Sequence, residues 1–281
     1  MALPYSQNPL DWLTQAWNIT SGQPFDPARE PWLAGPCGRP GGISDRVVAQ
    51  IAEEEDLAVV RAQSDHGLLD SFERFPHLRG VDDRILRFYR CTPGYSFEVW
   101  SRWETPWRYG GALVDALFAR RISQLSLPQD PLATARGITS EVILLTRPNG
   151  EVAHRVWFRK LRHTGSTIYS GFYSETMLPS GEPCVKVVFP LPHGNATVLM
   201  RAHARADGGL RLASQGSQAG EPGFYFIVRD RRGRQWRNYL RSFHEFIDVY
   251  VDGDGTLRAD HTMHLWNRLV YSLHYKMVPL G

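Results

Sequence analysis

The sequence predicts an α+β fold dominated by β structure: a curved antiparallel sheet or incomplete β-barrel with helices packed on or into it. Three observations carry this. From Tyr95 onward the hydrophobic pattern alternates with period two, as strands with two distinct faces require. About ten such runs follow one another, joined by short turns, which makes an antiparallel meander, and so many strands in one sheet curl or close. Ahead of them, residues 43–92 carry helical periodicity instead.

Taken in order, residues 1–42 are punctuated by Pro and Gly and end in PWLAGPCGRPGG. One short helix fits NPLDWLTQAWN, from about Asn8 to Asn18, and the rest reads as a segment that wraps a surface. Residues 43–92 read as a helical segment packed on the body. In ISDRVVAQIAEEEDLAVVRAQ, Ser44 can cap a helix whose Val47, Val48, Ile51 and Ala52 share one face. A second helix fits VDDRILRFYRCT, begun by Asp82, with Ile85, Phe88 and Tyr89 together.

Residues 93–281 form the barrel-like domain. YSFEVWSRW alternates as a strand, and YGGALVDALFARRISQL then interrupts as a helix with Leu113, Leu117, Ile122 and Leu125 on its apolar side. Strands are expected at 140–146, 152–160, 166–177, 184–189, 196–203, 208–213, 223–229, 234–240, 243–251 and 256–277, the last continuous or split. The expected turns are Asn149-Gly150, Ser180-Gly181, Gly194-Asn195, Gly208-Gly209, Arg232-Gly233 and DGDG at 252–255.

Composition narrows the function. With 281 residues, 42% hydrophobic and 22% charged, the chain has apolar mass for a real core. Net charge is +3, too small to argue for nucleic acid. The sum hides an asymmetry: residues 1–80 hold 6 Arg against 11 Asp or Glu, so an acidic N-terminal segment can lie against a basic body. Cys37, Cys91 and Cys184 are far apart and form no CxxC pair, which suits a reducing compartment. The N-terminus lacks a basic region followed by an apolar run, and no apolar stretch reaches membrane-helix length, so a soluble cytoplasmic protein is expected. There is no GxGxxG after a strand, no Walker loop, no GxSxG and no HExxH. No nucleotide or metal cofactor is therefore expected.

Several stretches, ILRFYRCTPGYSFEVWSRW, LFARRISQLSLPQDPL, GSTIYSGFYS, VKVVFPLPHGNATV and YVDGDGTLRADHTMHLW among them, resemble an uncharacterised bacterial β-rich family. Less closely, residues 100–277 resemble a β-rich domain attached to some saccharopine-dehydrogenase-like reductases. Either resemblance implies a shared β fold and carries no catalytic residues.

Candidate chemistry sits on strand faces. In GSTIYSGFYSETM, Tyr169, Gly171, Tyr173, Glu175 and Met177 share a side, and Tyr173 with Glu175 make an acid–base pair if Glu175 is desolvated. Glu141 and Glu98 are carboxylates on otherwise apolar or aromatic faces, where an Arg partner or a raised pKa must explain them. Trp100, Trp103, Tyr169, Glu98 and Phe226 are the candidate ligand-binding residues. By contrast, HRVWFRK reads as plain structure, with Val156 and Phe158 on one side and Arg155 and Arg159 on the other.

DHTMHLWNRLVYSLHYKM supplies His264 and His274 as further acids or bases. A turn at Asn267-Arg268 would set His261 opposite His274, whereas a continuous strand, or one bent at Trp266-Asn267, fits the residues better; no metal site is expected there. DGDGTLRAD lacks the Gly and Glu that a calcium loop needs, and reads as a hairpin turn. The expected function is binding of a hydrophobic small molecule in the barrel. The alternatives are a cyclase, isomerase or hydratase that needs no metal or nucleotide, and a non-catalytic interaction module.

Overall fold

The computed structural model describes residues 9–39, 46–63, 65–70, 72–105, 107, 138–162, 165 and 167–280, with the backbone alone at 9–14, 76 and 169. Fourteen strands form one branched sheet that does not close. Its main path runs β2 (Ala58–Arg61), β4 (Ile138–Thr146), β5 (Val152–Leu161), β6 (Thr167–Met177), β7 (Pro183–Leu191), β8 (Gly194–Ala204), β9 (Leu210–Ala213), β12 (Phe243–Val251), β13 (Leu257–Leu265), β14 (Arg268–Pro279) and β3 (Tyr95–Trp103). The named ladders are all antiparallel. The path branches at β8. Its first half pairs with β10 (Gly223–Arg229), which leads to β11 (Gln235–Leu240) and β1 (Gln23–Phe25), and its second half pairs with β9.

Both faces of this sheet carry buried residues, although the outer face of β3 is open to solvent. The inner face carries the main core, with Phe97 and Val99 of β3, Val185 and Val187 of β7, Val198 and Met200 of β8, and Leu273 and Met277 of β14. Helix α3 (Asp83–Arg90) plugs it. Asp82 caps α3 by accepting the Arg84 amide at 2.9 Å, and Ile85, Phe88 and Tyr89 are its buried residues. Edge strands β2 and β3 are not hydrogen-bonded to each other. An aromatic seam crosses the gap instead, with Trp157 of β5 in contact with Phe97 (5.7 Å) and Phe88 (6.5 Å).

The outer face carries two smaller cores. Helix α2 (Arg46–Glu54) lays Val47, Val48, Ile51 and Ala52 onto Leu145, Val156, Phe172 and Val188. The segment after helix α1 (Pro9–Ser21) crosses Cys184, Leu199, Tyr225 and Ile227 with Phe25, Trp32 and Leu33. Acidic residues of the N-terminal part do meet basic ones of the sheet. Glu30 pairs with Arg237 at 2.5 Å, Glu55 with His154 at 2.8 Å, and Asp70 with Arg155.

Three local expectations need correction. The helix expected over residues 44–63 stops at Glu54. Asp56 takes a left-handed φ of 52°, and the β-branched Val59 and Val60 then form edge strand β2. The β7–β8 turn is Pro192-His193, two residues earlier than expected, with His193 at φ 60°, while Gly194 and Asn195 are already in β8. Residues 257–279 form a hairpin. Trp266 and Asn267, at φ 50° and 61°, make a two-residue turn of the kind whose twist matches paired strands. The bend therefore falls at Trp266-Asn267 and reverses the chain completely. Asp252 holds its turn by accepting the Asp254 and Thr256 amides at 3.1 and 2.9 Å, which makes DGDG a hairpin turn. The helix expected over 109–125 lies outside the described residues.

Lys186 anchors the N-terminal crossing. Its ammonium donates to the Ala34 carbonyl at 2.8 Å, and burial pulls its pKa down to about 8. An unfolded lysine titrates at about 10.4, so the unfolded chain holds the extra proton between those values. Stability should therefore rise with pH across that window. Lys186→Met is expected to raise stability at pH 7 by roughly 1–2 kcal/mol, the relief of a buried charge exceeding one lost hydrogen bond. Melting temperatures from pH 6.5 to 10 check this: the wild type should gain on the variant as pH rises. A constant gap would remove the account.

Candidate functional site

The concave face of the sheet encloses a cavity of about 120 Å³ that opens to solvent at its mouth. Strands β3–β9 and β12–β14 contribute wall residues, and α3 contributes Phe88 and Tyr89. The wall is largely hydrocarbon and aromatic. Among its described residues, Arg159, Glu245 and His261 are the only side chains that are not hydrocarbon, thioether, indole or phenol. A largely apolar cavity with a few fixed polar groups is the usual form of a small-molecule site.

Arg159 is 2% exposed. Its guanidinium lies 4.3 Å from the Trp157 ring, 4.8 Å from Phe97 and 5.0 Å from Tyr275, three aromatic faces drawn from three strands. Each ring presents a negative face to the cation. Trp157 is itself fixed, because its indole N–H donates to the Ser140 hydroxyl at 2.7 Å. Tyr173 packs edge-on to Trp157 at 5.6 Å.

Glu245 and His261 sit on adjacent strands. Glu245 pairs with Met263 and Ile247 with His261, so the two side chains are diagonal neighbours on the concave face. His261 Nε2 is 3.6 Å from a Glu245 carboxylate oxygen. That nitrogen is buried and has no hydrogen-bond partner among the described residues.

The sheet separates the residues expected from the sequence. Tyr173 lines the cavity, and Glu175 follows on the same face of β6. Burial raises the Glu175 carboxyl above its usual range, while Arg74 at 3.9 Å pulls it down. Trp103 faces inward against Tyr271 at 4.6 Å. Phe226 packs edge-on to Phe224 (5.2 Å) and to Trp17 of α1 (6.3 Å), away from the cavity. Tyr169 lies opposite Arg159 in the β5–β6 ladder, and its side chain is outside the described set.

The remaining candidates alternate onto the outer face and do not reach the cavity. Glu141 pairs with Arg61 at 3.8 Å, and Glu98 with Lys276 at 3.2 Å. Trp100 stacks on His274 at 5.7 Å and is 42% exposed. His274 stands opposite Asp260, not His261. Its Nδ1 meets the Asp260 carboxylate at 2.6 Å, and Nε2 is 3.3 Å from the Arg258 guanidinium, which can only donate. That fixes the imidazole as a link in an outer-face network. His264 faces Phe246 at 5.3 Å; burial lowers its pKa, with nearby His244 adding to the effect. Among the described residues no group of three His, Cys, Asp or Glu is placed to hold a metal ion, and no helix is long and apolar enough to cross a membrane. Burial raises the Cys37 thiol and pushes that of Cys184 up to about 12, so neither is primed as a nucleophile.

Sequence reasoning missed Trp157, Arg159, Glu245, His261 and Tyr275. A signal existed for two of them. Trp157 shares a side with Arg155 and Arg159, and an aromatic between two arginines marks a cation–π face better than a solvent face. In FHEFIDVYV, Glu245 shares its side with Phe243, Ile247 and Val249, the same anomaly noted for Glu141.

Fold and site together define a class: an open, inwardly curved antiparallel sheet around a largely apolar cavity with Arg159, Glu245 and His261 in its wall. No protein-family model, curated protein or solved structure matches this chain.

Proposed function

We propose that the protein binds a hydrophobic small molecule in this cavity. The observation that carries the reading is the cavity itself, a space of about 120 Å³ lined mainly by apolar and aromatic side chains on the concave face. Burying apolar surface supplies the affinity, at roughly 25 cal/mol per Å² removed from water.

The test is uptake of toluene, a single apolar ring on the scale of this cavity, measured by equilibrium dialysis. Leu273→Trp places an indole in the cavity and is expected to weaken uptake at least tenfold. Trp100→Ala, on the outer face, is expected to leave it unchanged. Equal uptake by all three proteins, or none by the wild type, would sink the proposal.

A second reading, a metal- and nucleotide-independent isomerase, cyclase or hydratase, draws on one observation: Glu175 is desolvated and stands two positions from Tyr173 on the inner face. It predicts a pH–rate profile whose acid limb moves in Glu175→Gln. An unmoved limb would remove Glu175 from the chemistry.

A further inference from the structure

The wall formed by β12 and β13 gives the ligand a chemical class. His261 and Glu245 are polar side chains set among Ile247, Val249, Ala259 and Met263. Their closest approach is 3.6 Å, longer than a good hydrogen bond. Glu245 meets Ser214 through its backbone, its amide donating to the Ser214 hydroxyl and its carbonyl accepting from the Ser214 amide; among the described residues its carboxylate makes no hydrogen bond. A buried imidazole nitrogen left without a partner costs about 1–3 kcal/mol and calls for an explanation.

A hydroxyl group resolves it. A hydroxyl has one donor and two acceptor sites, a carboxylate only accepts, and a neutral imidazole N–H donates. We infer that the ligand is an apolar, ring-containing molecule bearing a hydroxyl that donates to Glu245 and accepts from His261 Nε2. The inference rests on the proposed binding role and deepens it. A fully ionised headgroup fits this wall poorly, because a carboxylate or phosphate brought to His261 would also meet the Glu245 carboxylate.

The experiment compares phenol with toluene, near-isosteres that differ in the hydroxyl, by equilibrium dialysis against wild type, His261→Phe and Glu245→Gln. The wild type is expected to prefer phenol at least tenfold. His261→Phe is expected to bind toluene as the wild type does and to lose most of that preference. Glu245→Gln keeps an acceptor and should lose part of it, which provides a second reading if His261→Phe fails to fold. Equal wild-type affinity for the two compounds overturns the hydroxyl inference and leaves the apolar cavity standing. So does a preference that survives both substitutions. Binding of neither compound by the wild type removes the binding reading and this inference with it.

Discussion

Arg159→Ala is expected to destabilise the protein by about 3 kcal/mol or more, on the scale of truncating a buried aromatic residue. The side chain is almost fully buried and fills the space between Trp157, Phe97 and Tyr275. Phe97 lies on an edge strand that no backbone ladder joins to β4 or β5. Removing the guanidinium therefore loosens the seam where, among the described residues, side chains and no ladder hold the curl of the sheet. The desolvated cation–π contacts add about 2 kcal/mol or more. Against them stands the cost of burying a charge. Arg159→Met keeps much of the volume and drops the charge, so it should recover most of the loss. Urea unfolding at constant m-value checks both variants. If Met proves as damaging as Ala, volume is the wrong explanation and the charge itself holds the seam.

Gly194→Ala is expected to cost on the order of 3 kcal/mol, the upper end of overpacking effects. A Cβ at this position would lie 1.9 Å from the Ile227 carbonyl oxygen and 2.9 Å from its carbon. These are backbone atoms of β10, locked in register by the Val228–Gly194 and Ile227–Asn195 pairs. No side chain can swing aside, so the β8–β10 ladder must open. The damage should be directional: β10, β11 and β1 should lose protection while β12–β14 keep theirs. Amide hydrogen exchange distinguishes this from global loss. Wild-type protection across Gln235–Leu240 would contradict the argument.

Strand positions were legible because turn chemistry punctuates them. Asn149-Gly150, Ser180-Gly181 and Arg232-Gly233 each end a run of alternating residues, and glycines 150, 181 and 233 take positive φ. Strand faces were not. Alternation identifies the inner side only when the other side meets water. Here α2 and the N-terminal crossing bury much of the outer face as well, so Val156 is as buried as Val99. In β5 the apolar residues therefore point outward toward α2, while Arg155, Trp157 and Arg159 point in. The same ambiguity put Glu141, Glu98, Trp100, His264 and His274 among the site candidates, and the ladder register sends each of them outward. Tyr173 and Glu175 were read onto one face, and both lie on the concave side. The pairing of β3 with β14 had no local signal, because nothing within either strand names a partner so distant.

That distance bears on how the chain is made. Ser96 and Val278, bonded across the β3–β14 ladder, are 182 positions apart. During synthesis β3 leaves the ribosome long before its neighbour exists, and non-local pairs of this kind form slowly. A waiting strand with Tyr95, Phe97, Val99 and Trp103 along one face is a template for pairing with other chains. YSFEVWSRW carries its own restraint against one such pairing: Glu98 and Arg102 place a charge of each sign on one face, where a second copy added in parallel register would bring like charges opposite like. Once β14 arrives, Lys276 opposite Glu98 turns that guard into a match.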